Sequence, residues 1–268
     1  MVRPLRFTIT LWTKDPTVAG WADRAGVDRI GVDLEGKSKA DRQTGRPTWI
    51  STHTTDDLAA VAGVVRAARI FVRCDAFDED SKAQIDEVIG LGAHVLMLPN
   101  FTTLDEVKGF VDAVDGRAEV VPLVERIAAV ELLPAFPALG VGEAHVGLND
   151  LSIDLGLSNR LAVLGMPIMD RISELARDNG LRIGFGGLAR AGDTSLPVSS
   201  DLVYAQQARL GSAGALIARA FFRKDMDEAV FAEEIGLMRA KLTEMFATPP
   251  ELLEAARLEL MDKATGAV

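Results

Sequence analysis

The chain has 268 residues, 48% of them hydrophobic and 25% charged, enough apolar matter for one large core and too much for whole-chain disorder. A formal charge of -10 argues against nucleic acid and anionic membrane surfaces as partners, because both select basic faces. The lone Cys74 excludes an internal disulfide, the start MVRPLRFTIT lacks the apolar centre of a secretion signal, and no apolar run reaches the ~18 residues of a spanning helix, so a cytoplasmic protein is expected.

Along the chain, eight short aliphatic runs alternate with segments of helical period. The runs are Arg6–Leu11, Arg29–Leu34, Ile70–Cys74, His94–Leu98, Glu119–Leu123, Ala144–Gly147, Arg182–Phe185 and Ala213–Ala218. Such alternation is the mark of parallel βα units, and an even count without a dinucleotide-type turn favours a closed (β/α)8 TIM barrel over an open doubly wound sheet. Between the runs, Thr103–Val114 has helical period. So does Pro167–Asn179, where Ile168, Ile172, Leu175 and Ala176 share one face and Gly180 stands at the expected stop. Residues 36–52 are expected to form a long irregular loop. After Ala220 the pattern is purely helical, with Asp225–Phe246 and Pro249–Lys263 split at Thr248-Pro249-Pro250. This divides the chain into a catalytic barrel, 1–222, and a helical extension, 223–268. The stripe Phe231, Ile235, Met238, Leu242 and Met245 calls for a partner surface, so the extension is expected to pack across a subunit boundary in a homo-oligomer.

In a closed barrel the chemistry sits where strands end, which directs attention to the residues just after each run. Asp33 and Glu35 flank Leu34 after the second run, Glu125 follows the fifth, and Asp150 lies in His145-Val146-Gly147-Leu148-Asn149-Asp150 after the sixth. Carboxylates gathered at one mouth repel each other unless a cation shares the space, and hard oxygen ligands suit Mg2+ or Mn2+. No cysteine or histidine cluster offers a zinc site. Arg73 ends the third run and brings a planar cation to the same mouth, suited to a carboxylate or a developing enolate oxygen. Each acid taken singly is as readily a helix N-cap; their joint placement is the signal.

These residues resemble a known family, the HpcH/HpaI aldolases together with the citrate lyase beta subunit and the malyl-CoA lyases. The matching segments are Ala25-Gly26-Val27-Asp28, Val32-Asp33-Leu34-Glu35, Val72-Arg73, Leu98-Pro99, Leu123-Val124-Glu125, Gly147-Leu148-Asn149-Asp150-Leu151-Ser152 and Leu155-Gly156. The resemblance implies a divalent metal, Mg2+ or Mn2+, on Glu125 and Asp150, with Arg73 on a substrate oxygen. It also implies that Asp33 and Glu35 support an acid–base water network. The expected activity is that of a metal-dependent carbon–carbon lyase or aldolase on a 2-oxo acid or related carboxylate, through a stabilised enolate. It further implies C-terminal helices that pack on or swap with a neighbouring subunit.

The departures from the family bear on the substrate. Gly36 stands where pyruvate-type members carry a histidine, which looks closer to the citrate lyase beta side, and Arg126 stands where a threonine is usual. His53 is a candidate replacement, folded back over the mouth; equally, it precedes Thr54-Thr55-Asp56-Asp57, a helix start capped by Thr54. His94 and His145 fall inside predicted strands and are read as core or supporting groups. Arg126, Asn149 and the glycines Gly186 and Gly187, after the seventh run, are candidate substrate contacts. There backbone N–H groups could meet an anion, with Arg190 adding charge. Lys37, Lys39, Arg42 and Arg46 make the 36–52 loop either an anion-gripping lid or a solvated loop. Two other readings stay open: a citrate-synthase-like or phosphoenolpyruvate-using condensing enzyme, and a non-catalytic barrel that binds a small acid.

Overall fold

The computed structural model describes residues 7–36 and 52–266. Its strands are β1 (Thr8–Trp12), β2 (Arg29–Asp33), β3 (Arg69–Arg73), β4 (Val95–Leu98), β5 (Glu119–Val124), β6 (Glu143–Val146), β7 (Arg182–Leu188) and β8 (Gly214–Ile217). Every neighbouring pair is parallel, and β8 returns to β1, so the sheet closes into the barrel expected from the alternation. Helices cover it: α1 (Pro16–Arg24), α2 (Thr55–Val64), α3 (Ser81–Gly90), α4 (Leu104–Val114), α5 (Ile127–Val130), α6 (Leu148–Asp154), α7 (Pro167–Asp178) and α8 (Ser200–Arg209). Short 3-10 turns lie at Leu133–Leu139, Arg160–Gly165 and Arg219–Phe221. Helix α4 shows how local chemistry sets an element. Thr103 and Glu106 form a reciprocal capping box at its start, and Val107, Phe110 and Val114 bury one face. Each such fully buried side chain stabilises the fold by about 1.5–3 kcal/mol.

The alternation of side chains along each strand separates two apolar clusters. Ile9 and Leu11, Ile30 and Val32, and Ala144 and Val146 face outward into the core beneath the helices. Phe71, Val95, Met97, Val121 and Leu123 face inward with Trp12 and fill the barrel. Trp12 stacks on Phe71 at 5.0 Å between centroids. Its indole occupies the space over Gly31, where a Cβ would lie 2.3 Å from the ring. Below this apolar layer, the amino ends of the strands carry charge. Arg29 is buried and ion-paired to Glu143 and to Glu119 (3.0 Å); Arg69 pairs with Glu119, and Arg182 with Glu143 at 2.9 Å. The Arg29 guanidinium also lies 5.6 Å under the Phe71 ring. The bottom of the barrel is thereby closed by a network of paired charges.

The tail folds as α9 (Glu228–Phe246) and α10 (Pro250–Gly266). Phe231, Ile235, Met238 and Leu242 are buried within the chain itself, α9 lying against α1 and α8. Arg239 fastens α9 to the bottom of the barrel through the Gly26 carbonyl (2.5 Å) and Asp28 (2.9 Å). Helix α10 packs on α8 and on the 3-10 turn at Arg160–Gly165, where Arg257 donates to the Gly165 carbonyl at 3.0 Å. The stripe expected to need a partner therefore finds its surface in its own barrel, and it gives no reason for a second copy. Among the described residues, no helix is long and apolar enough to cross a membrane.

Candidate active site

The carboxyl ends of β2, β3, β5 and β6 bring the predicted acids and Arg73 together. Asp33 and Arg73 are register partners across β2 and β3. Their side chains meet in a fork, Arg73 Nε donating to Asp33 Oδ1 at 2.8 Å and Nη2 to Oδ2 at 2.6 Å. The third nitrogen, Nη1, lies 3.4 Å from Glu35 Oε2. Two of the three guanidinium nitrogens are thus spent on Asp33, and Nη1 is the edge left to face the mouth. Burial works against the Arg73 charge, but Asp33, Glu35 and Glu125 outweigh it and hold the guanidinium above its ordinary value.

Glu125 follows β5 directly and is buried. Its carboxyl is pushed up to about 8, first by burial and then by the charges of Asp150 and Glu35, with Arg73 opposing. Glu125 and Asp150 lie within hydrogen-bonding reach of each other, which requires a proton on one of them in the absence of a cation. Two features that sequence reasoning missed fix Glu125. Asn100, at φ 51° just past β4, turns its N–H onto Glu125 Oε1 at 2.8 Å; asparagine tolerates that left-handed backbone. Gly147 leaves the room: a Cβ there would lie 2.6 Å from Glu125 Cβ and 2.8 Å from Oε2. Asp150 sits in the first turn of α6, and Asn149 donates to Asp150 Oδ1 at 3.3 Å.

His53 does reach the mouth. The backbone N–H of Asp33 donates to His53 Nδ1 at 3.0 Å, so the neutral ring carries its proton on Nε2. Partial burial, more than any neighbouring charge, holds this imidazole below its ordinary value. The expected helix start is also present, Thr54 and Asp57 forming the capping box of α2. His53 is therefore both the residue before a cap and a neighbour of the Asp33–Arg73 pair. Asp75, which sequence reasoning passed over, accepts from the Gly36 N–H at 2.8 Å and anchors the end of the Asp-Leu-Glu-Gly segment. Trp12, also missed, is half-buried at the end of β1 and lies over Gly31 beside this cluster.

The remaining candidates lie further out. Arg126 caps α5, 3.6 Å from Asp154. Gly186 and Gly187 lie within β7, at a register shift against β8 between Gly186 and Leu188, and Gly187 takes φ 113°. They form a β-bulge at the mouth, a device that re-aims a strand end. Arg190 is committed elsewhere: it pairs with Asp225 (2.8 Å) and Glu234 (3.5 Å) and donates to the Phe221 carbonyl at 3.1 Å. The expected strand position of His94 is corrected: it is exposed just before β4, with Nδ1 accepting from Ile70 N–H at 3.0 Å. His145 is buried inside the barrel, and burial pushes its imidazole down to about 3. Lys37, Lys39, Arg42 and Arg46 lie outside the described residues.

The hard oxygens of Glu125 and Asp150 suit a divalent cation, and the mutual repulsion that lifts Glu125 is what such an ion would relieve. Among the described residues, no group of three or more His, Cys, Asp or Glu is arranged to hold a metal. A two-carboxylate site fits Mg2+ or Mn2+ better than a cation that needs a full protein cage, because Mg2+ commonly keeps several waters.

Comparison with known proteins adds a likeness of fold. The sequence matches no protein-family model and no curated protein. Among solved structures, it is similar to the crystal structure of HpcH/HpaI aldolase from Desulfitobacterium hafniense DCB-2. The two are 17% identical with a TM-score of 0.60, over 80% of this chain and 86% of that one. That is the family the sequence motifs resemble.

Proposed function

We propose that the protein is a divalent-metal-dependent carbon–carbon lyase, or aldolase, acting on a 2-oxo acid or related carboxylate. The observation that carries this reading is the crowding of Glu125, Asp150 and Glu35 around one fork-held arginine, with Glu125 pushed up to about 8. Glu125 and Asp150 would hold the metal, which when bound polarises a carboxylate or oxo oxygen of the substrate. Asp33 fixes the plane of Arg73, so that Nη1 can donate to an oxygen that gains negative charge as the carbon–carbon bond breaks. His53, with Nδ1 held by a backbone N–H, presents Nε2 as a donor and suits holding an oxygen better than taking a proton. Proton movement then falls to water held by Asp33 and Glu35. Trp12 closes the floor of this mouth and excludes solvent from beneath. The condensing direction would use the same groups in reverse, and a homo-oligomer is part of this reading, to be measured by light scattering.

The test is a scan of hydroxy-acid substrates for release of pyruvate or oxaloacetate with Mg2+ or Mn2+. Release should stop on chelation and fall at least about a hundredfold in Glu125→Gln and Asp150→Asn, the scale of a lost electrostatic contact. Binding of pyruvate or oxaloacetate without release from any substrate would instead indicate a barrel that only binds acids.

A further inference from the structure

Three successive backbone N–H groups follow β2 at the mouth, and each meets a different acceptor. Leu34 donates to the Arg73 carbonyl at 2.9 Å, Glu35 to Asp33 Oδ1 at 3.3 Å, and Gly36 to Asp75 Oδ1 at 2.8 Å. The first bond continues the ladder of β2 and β3, and the second lies within the Asp-Leu-Glu segment. The third ties the far end of that segment to the loop after β3. Glu35 lies between the last two bonds, its side chain buried and its Oε2 3.4 Å from Arg73 Nη1. Arg73 and Asp75 therefore hold Glu35 from two sides, Arg73 by its guanidinium and Asp75 through the peptide that follows Glu35.

Asp75 is itself held by Gln84, on α3. The Asp75 N–H donates to Gln84 Oε1 at 2.9 Å, and Gln84 Nε2 donates to Asp75 Oδ2 at 3.0 Å. A backbone N–H can only donate, so it selects Oε1 and turns the amide nitrogen toward the carboxylate. Two bonds between one pair of residues fix both side-chain planes and aim Oδ1 at Gly36. The support is rigid. Ile85, next to Gln84, and Val88 are fully buried and seat α3 on the barrel, and Ser81 accepts from the Asp78 N–H at 2.8 Å and closes the loop before it. The Gln84–Asp75 bonds alone would close that loop; the bond from Gly36 to Oδ1 carries its rigidity to the mouth.

We propose that Asp75 and Gln84 are positioning residues: through them α3 holds the peptide after Glu35, and with it the Glu35 carboxylate against Arg73. The effect on turnover rests on the lyase reading, in which Glu35 helps to hold the water that moves the proton. A reacting group must be held to within about 0.5 Å, so freeing this end of the segment slows the reaction without weakening the hold on the substrate.

The experiment exchanges the two functional groups. Asp75→Asn sets two N–H donors face to face, Gln84→Glu sets two carboxylates face to face, and the double variant restores one donor and one acceptor in reversed order. Hydrogen exchange of the Gly36 and Glu35 amides, followed by NMR on the full chain, reads the anchor without any turnover. Both amides should exchange about tenfold faster in each single variant, the scale of one lost hydrogen bond, and return to within about threefold of the parent in the double variant. The Phe110 amide, within α4, should not change, which makes the loosening local. In the single variants kcat for oxo-acid release should fall about tenfold or more at nearly unchanged KM, and it should recover in the double variant. A loss that came only from the missing Asp75 charge would not be restored by Gln84→Glu. Gln84→Met, which has neither donor nor acceptor, replaces Gln84→Glu if the facing carboxylates unfold the chain, and it should loosen the same two amides. Faster exchange at Gly36 with Glu35 still protected, no recovery in a folded double variant, or unchanged kcat in the single variants overturns the proposal. A parent chain that releases no oxo acid fails the lyase reading, and exchange alone then decides whether the pair holds Glu35.

Discussion

The two ends of the barrel use arginines and carboxylates differently among the described residues. At the amino end, Arg29, Arg69 and Arg182 meet Glu119 and Glu143, and the carboxylates lie between guanidiniums. At the carboxyl end, Asp33, Glu35 and Glu125 all act on the one guanidinium of Arg73, and Asp150 and Glu35 press on Glu125. Matched charges close a structure, because removing either partner strands the other in a low-dielectric interior. Carboxylates pressed together hold on to protons, as the raised Glu125 shows, and hard oxygens in that state are what a divalent cation satisfies.

Arg29→Met should cost about 3–5 kcal/mol of folding stability by leaving buried carboxylates short of a partner. Turnover per folded molecule should not change. A variant that melts normally but loses turnover would mean that the amino end is not merely a closure. Arg73→Lys should do the reverse. Lysine cannot reproduce the fork to Asp33, so turnover should fall about a hundredfold while the melting temperature barely moves. Near-normal turnover would retire Arg73 from the chemistry.

A finer probe is Gly147→Ala. Its φ of -86° suits any residue, so the fold should tolerate the change, but the new methyl would displace Glu125. Affinity for Mg2+ or Mn2+, read from the rise in melting temperature on titration, should drop about tenfold. The smallest expected effect is in pH. Glu125 is raised from the ordinary carboxylate range to about 8, so the folded chain binds this proton more tightly than the unfolded chain. Its contribution to stability is full in acid and is lost as pH rises through the ordinary value toward about 8. Metal-free protein should therefore lose a few degrees of melting temperature over that span by this route. Added Mg2+ should restore more at the alkaline end, and Glu125→Gln should flatten the dependence. An equal slope in Glu125→Gln would locate the proton elsewhere.

The barrel was legible in the sequence because its causes are local. Alternating aliphatic runs and 3.6-residue periods each report one element, and Thr103-x-x-Glu106 announces the start of α4 within four residues. The set Asp33, Glu35, Arg73, Glu125 and Asp150 was legible for a related reason: closure of parallel strands obliges all their carboxyl ends to share one mouth. Contacts between distant segments are encoded in no single stretch of sequence. That the α9 stripe is buried on its own barrel depends on where the tail returns, which periodicity does not encode. Arg190 being paired to Asp225 and Glu234 depends on turns tens of residues apart. Gly147 and Asn100 act through a missing Cβ and one left-handed backbone angle on a neighbouring strand. Sequence spells the hydrophobic period of each element because packing demands it residue by residue. The pairing of a charge is decided by whichever loop arrives beside it, and that is a property of the closed barrel.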